Sequence, residues 1–226
     1  INQCRMSFDK DHMLFSVGEY RSRHLAQNLD SVNGKIIKIN IKDQSYEIIS
    51  MGHRNPQGLY YDKASNFILE SEHGPKGGGE LNLIELKNLS SDEIPNYGWP
   101  VVSGGEHYGG KVPANKTKYE KYPLYKSHTE HGFIEPLKDF TPSIGCSEIV
   151  KIGQNKYVLS SMGKDYLHLK SPGKESLYFF ELNDQKKLAK FEQVNVTERV
   201  RDLKYKDGKL YLFLEGTGSI GVIDLN

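Results

Sequence analysis

Four times along this chain two β-rich runs face each other across a turn of Asp, Asn, Lys or Gly: residues 5–17, 58–70, 148–160 and 200–214. Each run has β-branched or aromatic residues on both sides of the turn, the pattern of an antiparallel hairpin. A further strand follows each hairpin, at 35–40, 80–86, 176–182 and 219–225. Such a unit cannot cover its own two faces and needs neighbours of the same kind, so the repeat reads as β-propeller blades, about four blades' worth of strands. Helical periodicity is nearly absent. The one candidate, residues 86–94, reads as a turn or a 3₁₀ segment.

At 226 residues the chain is long enough for one all-β domain, and residues 1–226 are expected to form a single, partial propeller domain. Thirty Lys and Arg against 29 Asp and Glu leave a net charge of +1, which gives no electrostatic reason to expect nucleic acid or an anionic membrane surface as a partner. Small neutral ligands fit better. No apolar run approaches the roughly 18 to 20 residues needed to cross a bilayer. A start at Ile1 rather than Met suggests a processed chain or a fragment. Cys4 and Cys146 show no metal or redox spacing and read as free thiols, with a long-range disulfide as the alternative. Asn88, Asn115 and Asn195 open Asn-x-Ser/Thr triplets, which matter only in a glycosylating compartment.

Between residues 52 and 100 three glycine-punctuated loops follow one another: GHRNPQGL at 52–59, SEHGPKGGGELN at 71–82 and NYGWP at 96–100. Arg, Asn, Gln, His and Glu packed between Gly and Pro suit a rim that presents polar groups and bare carbonyls to a ligand. Residues 103–139, rich in Gly, Pro, His, Lys and Tyr, read as a long excursion on that rim. His128 and His131 form an HxxH pair there; without a strong third ligand it is expected to be a solvated loop rather than a metal site.

These loops, with EHGPKGGGELNLI at 72–84, ERVRDL at 198–203 and the stretch from AQNLD at 26–30 to GKI at 34–36, resemble the soluble quinoprotein glucose/sorbosone dehydrogenases, also called aldose sugar dehydrogenases. The motifs stand in the family's order, and the resemblance covers essentially the whole chain, weakest at 103–139 and 162–174. It implies a six-bladed propeller, exported to the periplasm or secreted, that binds pyrroloquinoline quinone (PQQ) and Ca²⁺. It further implies oxidation of the C1 hydroxyl of aldoses, hydride passing to the quinone and then electrons to an external acceptor. By the same resemblance Arg54 is the catalytic electrostatic group and Asn55 binds the cofactor beside it. Gly74 and Pro75 offer main-chain carbonyls to Ca²⁺, as suits a hard cation. Arg199 and Arg201, two apart on a strand, bind the cofactor's carboxylates, and Lys164 is the nearest candidate for the cofactor lysine.

The chain departs from the family in three respects. The catalytic His and an early cofactor-binding Gln lie in the first blades, upstream of anything matching here, so no residue is assigned as base; His53 and His73, beside site motifs, are not in that role. Gly79 stands where an acidic residue is common, and Lys164 is offset in register. Three readings follow: a dehydrogenase completed by an upstream segment, a non-catalytic binding propeller like the hedgehog-interacting relatives, or a partial propeller whose open edges are closed by another chain, as in a homo-oligomer.

Overall fold

A computed structural model describes residues 4–8, 10–86, 94–163 and 175–226. The chain is all-β and organised as two compact units, Ile1–Pro142 and Ser143–Asn226.

In the first unit, strands β1 (Met6–Phe8), β2 (His12–Val17), β3 (Lys35–Asn40) and β4 (Tyr46–Met51) form one antiparallel sheet in sequence order. Strands β5 (Pro56–Asp62), β6 (Phe67–Glu72), β7 (Gly79–Glu85) and β8 (Lys138–Phe140) form the next. The two sheets share one core. Leu14, Ile36 and Ile49 pack against Leu59, Ile68, Ile84 and Tyr97, all nearly inaccessible to solvent. This is the mutual covering that the repeat demands: neither sheet alone could bury both of its faces.

The second unit repeats the design. Strands β9 (Cys146–Gly153), β10 (Lys156–Ser161), β11 (Ser176–Leu182) and β12 (Leu188–Asn195) form one sheet, and β13 (Val200–Lys206), β14 (Lys209–Leu214) and β15 (Ser219–Asp224) form a three-stranded one. Val158, Leu177, Val200, Leu203, Leu210 and Leu212 make the shared core. The β13–β14 hairpin turns on Asp207 and Gly208, both at positive φ, between the paired Lys206 and Lys209. This is the primed turn whose twist matches that of the strands.

All four expected hairpins and their outer strands form as expected. The fourth strands β4, β8 and β12 were not anticipated. In β12 four of eight residues are polar and most are exposed, so no clean alternation marks it. β8 is the tail of the 103–139 excursion, returning to pair with β7 through Gly79↔Phe140 and Leu81↔Lys138. The rest of that excursion holds a six-residue helix, α1 (Lys116–Lys121), and is pinned by Lys126, whose ammonium donates to the carbonyls of Ser103, Gly104 and Gly105. Residues 87–93, which make up most of the 3₁₀ candidate, and Asn88 lie outside the described residues. Cys4 is partly exposed and Cys146 buried, and both are free thiols.

A single buried cation organises the approach to the rim. Lys35, at the start of β3, is fully buried and donates from Nζ to the carbonyls of Leu25 (2.8 Å), Ala26 (3.0 Å) and Asn33 (2.9 Å). It thereby closes the 3₁₀ turn Arg23–Gln27 and fixes where Arg23 and Gln27 leave the backbone. Burial pulls its pKa down to about 8.

Candidate functional site

The site is built on the end of β6. β6 is a central strand with every residue buried, yet its last face carries Glu70 and Glu72. Opposite them on β7 stand Asn82 and Glu80, so three carboxylates and one amide share a covered surface. Side chains two apart on a strand fall on the same face, which is why the polar residues collect here.

Glu72 ties two motif loops together. Its Oε2 accepts the main-chain N–H groups of Arg54 (2.5 Å) and Asn55 (3.0 Å). The amide of His73 donates to the carbonyl of Asn55 (3.0 Å), and Arg54 Nη1 donates to the carbonyl of His73 (2.6 Å). Gly52–Asn55 is thus stitched to the His73–Gly74–Pro75 turn by four hydrogen bonds, three of them charge-assisted. The third motif closes from above: Trp99 donates its amide to Gly52, and Gln27 and Asn96 exchange side-chain amide bonds (3.1 and 2.8 Å). Gln27 also donates to the carbonyl of Trp99.

Two guanidiniums approach the Trp99 indole, Arg23 at 5.0 Å and Arg54 at 5.4 Å from the ring centroid. Arg23 also meets His107, whose tautomer the geometry determines. Nε2 faces the Tyr122 carbonyl at 2.6 Å and must donate to it, leaving Nδ1 to accept from Arg23 Nη1 at 3.0 Å. Burial and the Arg23 charge both lower the His107 pKa, so the ring is neutral as this arrangement requires. Glu19 faces the same corner; burial raises its carboxyl pKa, partly offset by Arg54 and Arg23.

Two donors in this corner have no acceptor: Arg54 Nε and Trp99 Nε1 are buried without a hydrogen-bond partner. Among the described residues no hydrogen bond ends on the carbonyl of Gly74 or Pro75. A pair of unspent donors beside unspent carbonyls suits a ligand that offers acceptor oxygens and travels with a hard cation. The residues present therefore fit a quinone and Ca²⁺.

Arg54, Asn55, Gly74 and Pro75 are thus brought together in the first unit. Arg199 and Arg201 belong to the second. There they converge on one carboxylate, Glu215 Oε2, at 3.2 and 2.8 Å, and Arg199 Nη1 also donates to the carbonyl of Met162. Lys164 lies outside the described residues. Arg23, Glu72 and His107 were not singled out from sequence. For Glu72 a signal existed: a carboxylate in an otherwise apolar central strand needs a partner.

His128 corrects an expectation. It is not in a solvated loop but buried between Glu80 Oε1 (3.5 Å) and Glu135 Oε2 (3.4 Å). Only His131 of the pair is exposed, stacked on Tyr125. The reason is Glu80: a carboxylate walled in by its sheet draws a cation, and His128 is the one the excursion supplies. Burial raises the Glu80 pKa to about 7, with the Glu72 charge acting in the same direction against His128. Burial lowers that of His128, but the charges of Glu80, Glu135 and Glu72 raise it overall.

Both folded-state values stand above their unfolded ones. The folded protein therefore holds protons that the unfolded chain has released, and stability falls as pH rises through about 7. Urea unfolding of the metal-free protein, followed by circular dichroism, is expected to show a loss on the order of 1–3 kcal/mol between about pH 5.5 and 8.5. Glu80→Gln should flatten that slope; a slope unchanged in the variant would show that the proton is held elsewhere.

A sequence profile of the glucose/sorbosone dehydrogenases matches residues 2–221, and the chain belongs to that family. It is 35% identical over 127 residues to the aldose sugar dehydrogenase YliI of Escherichia coli K12, which covers 50% of this chain and 32% of that protein. To quinoprotein glucose dehydrogenase B of Acinetobacter calcoaceticus it is 38% identical over 98 residues, 42% of this chain and 18% of the relative. The crystal structure of the soluble aldose sugar dehydrogenase from Escherichia coli in the apo form superposes with a TM-score of 0.70 at 25% identity, covering 97% of this chain and 63% of that one. The fold is that of a β-propeller. The chain spans less than two thirds of each of these relatives. No helix among the described residues is long and apolar enough to cross a membrane.

Proposed function

We propose that this chain is the cofactor-holding part of a PQQ- and Ca²⁺-dependent sugar dehydrogenase that oxidises the C1 hydroxyl of aldoses and passes the electrons to an external acceptor. One observation carries the reading: Glu72 binds the Arg54–Asn55 backbone while Arg54 reaches the carbonyl next to Gly74, so the donors and carbonyls that such a ligand needs are fixed in one frame. When bound, the quinone supplies a two-electron acceptor and the calcium ion a Lewis acid.

The chain's own residues have separate tasks. Gly74 and Pro75 would hold the cation through main-chain oxygens. Asn55, with its backbone clamped and its side-chain oxygen taking an N–H from Gln57, would present its amide nitrogen to a cofactor carbonyl. Arg54, anchored at Nη1 and stacked on Trp99, would aim Nε at the substrate oxygen on which negative charge develops as the C1 hydride leaves. Arg199 and Arg201 offer paired charge suited to a polycarboxylate ligand, for which Glu215 now stands in. Proton removal from the sugar falls to a base not assigned to this chain. The sugar site opens to the periplasm or the exterior.

The test uses the complete gene product loaded with PQQ and CaCl₂. Dye-linked oxidation of an aldose panel should require both additions, and the bound quinone should show a shifted absorption band. Neither turnover nor a spectral change in a folded, complete protein would overturn the reading.

A further inference from the structure

His53, Glu70 and Glu72 meet in the interior of the first unit, and the geometry of their contacts is unusual. All three are buried. His53 Nδ1 lies 3.8 Å from Glu70 Oε2 and 3.9 Å from Glu72 Oε1, and one ligand atom from each residue falls within 4.8 Å of the other two. Those separations are too long for hydrogen bonds. They are close to the about 3.3 Å between two ligands on a tetrahedral ion with bonds of 2.0–2.1 Å, so an inward shift of about half an ångström would complete the set.

Two buried atoms of the cluster have no hydrogen-bond partner, His53 Nδ1 and Glu70 Oε1. Each of the three side chains has a further partner that fixes it. His53 Nε2 pairs with Ser50 Oγ at 2.8 Å, and its ring stacks on Tyr97. Glu70 Oε2 accepts from Asn82 Nδ2 at 2.9 Å. Glu72 Oε2 accepts the amides of Arg54 and Asn55. Outer partners of this kind orient the ligands of a metal ion; the Ser50 hydroxyl can donate or accept, and with Nε2–H donated to it, the tautomer that ligation requires, the Nδ1 lone pair faces the carboxylates. In that tautomer a bare lone pair is turned toward two carboxylates, an arrangement that is repulsive unless a cation or a proton lies between them. Neither a lysine nor an arginine pairs with Glu70 among the described residues.

We propose that His53 Nδ1, Glu70 and Glu72 Oε1 form an internal site for a divalent transition-metal ion of the zinc class, distinct from the Gly74–Pro75 carbonyls. Imidazole with two carboxylates favours such an ion over calcium or magnesium, which take all-oxygen sets. Two carboxylates neutralise its charge, so the filled site suits a dry interior. The second oxygen of Glu70 or a water takes the fourth position. Because Glu72 grips the Arg54 and Asn55 amides with its other oxygen, the ion would also stiffen the loop that presents Arg54. A site this enclosed fills while the chain folds rather than afterwards.

The test is metal retention by the tag-free protein produced in medium supplemented with Co²⁺, then dialysed exhaustively against buffer containing excess Ca²⁺. About one cobalt per chain is expected, with the intense visible bands of a four-coordinate N/O site. His53→Gln and Glu70→Gln should each lower retained cobalt at least about tenfold, the lower end of the loss expected when a site's ligation is damaged. His128→Gln, at the other side of the carboxylate group, should retain it. Cobalt well below one per chain in the unmodified protein, a weak six-coordinate spectrum, or full retention in both ligand variants would overturn the proposal and leave a shared proton as the occupant. If the variants do not fold, the stoichiometry and spectrum of the unmodified protein decide alone. Calcium binding and sugar turnover enter none of these readouts.

Discussion

Replacing Arg54 with Ala in the complete protein is expected to lower kcat for sugar oxidation by at least about 10²-fold, the scale of losing one preorganised electrostatic donor. The side chain is held at both ends of its guanidinium, by the His73 carbonyl at 2.6 Å and by the Trp99 ring at 5.4 Å. Among the described residues nothing accepts from Nε. That nitrogen is placed before any substrate arrives, so its interaction costs little reorganisation when charge develops. Quinone affinity should fall far less, because Asn55 keeps its backbone clamp to Glu72. Steady-state turnover and a quinone titration on the same preparation separate the two effects. An unchanged rate would show that the charge is stabilised by another group, with Arg23 the nearest alternative.

The second large effect is expected at Gly74, through the backbone. A Cβ added there would lie 1.6 Å from the carbonyl oxygen of Gly78 and 2.3 Å from its carbon. No side-chain rotation relieves such a clash, and the turn must open. Gly74→Ala should therefore weaken Ca²⁺ binding at least about tenfold, since a ligand displaced by about 1 Å forfeits most of its positioning. Stability should fall by about 1–3 kcal/mol, the usual cost of overpacking. Gly77→Ala is the control: its nearest neighbour would be 3.5 Å away, and only its positive φ opposes the substitution. Equal calcium affinity in the two variants would mean that the turn is not where the ion binds.

The blade pattern was legible because hairpins are local. In each hairpin the turn residues, Asn66, Asn155 or Asp207–Gly208, and the flanking apolar runs lie within a dozen residues of one another, and β6, β10 and β14 followed from them. Strands β8 and β12 were not legible. β8 is three residues long and reaches β7 after a detour of some fifty residues, a pairing set by loop anchoring rather than by local pattern. Motif spacing found Arg54, Asn55, Gly74 and Pro75. What holds them was hidden: Glu72 was read as part of a motif, and only the pairing of β6 with β7 shows it facing the loop it clamps. His128 was misread because its partner Glu80 is distant in sequence, and an HxxH pair with no visible third ligand gives no hint of burial.

The indole beside Arg23 and Arg54 also gives the molecule an optical property. Trp99 is the chain's only tryptophan, 3% exposed, with two guanidiniums near its ring. Tryptophan emission from this protein, excited selectively over its tyrosines, is therefore a single-site signal. It originates in the first unit, at the corner where Arg54 is held. Any ligand that draws Arg54 off the ring changes the emission directly. The chain carries its own fluorophore at the place where binding is to be measured.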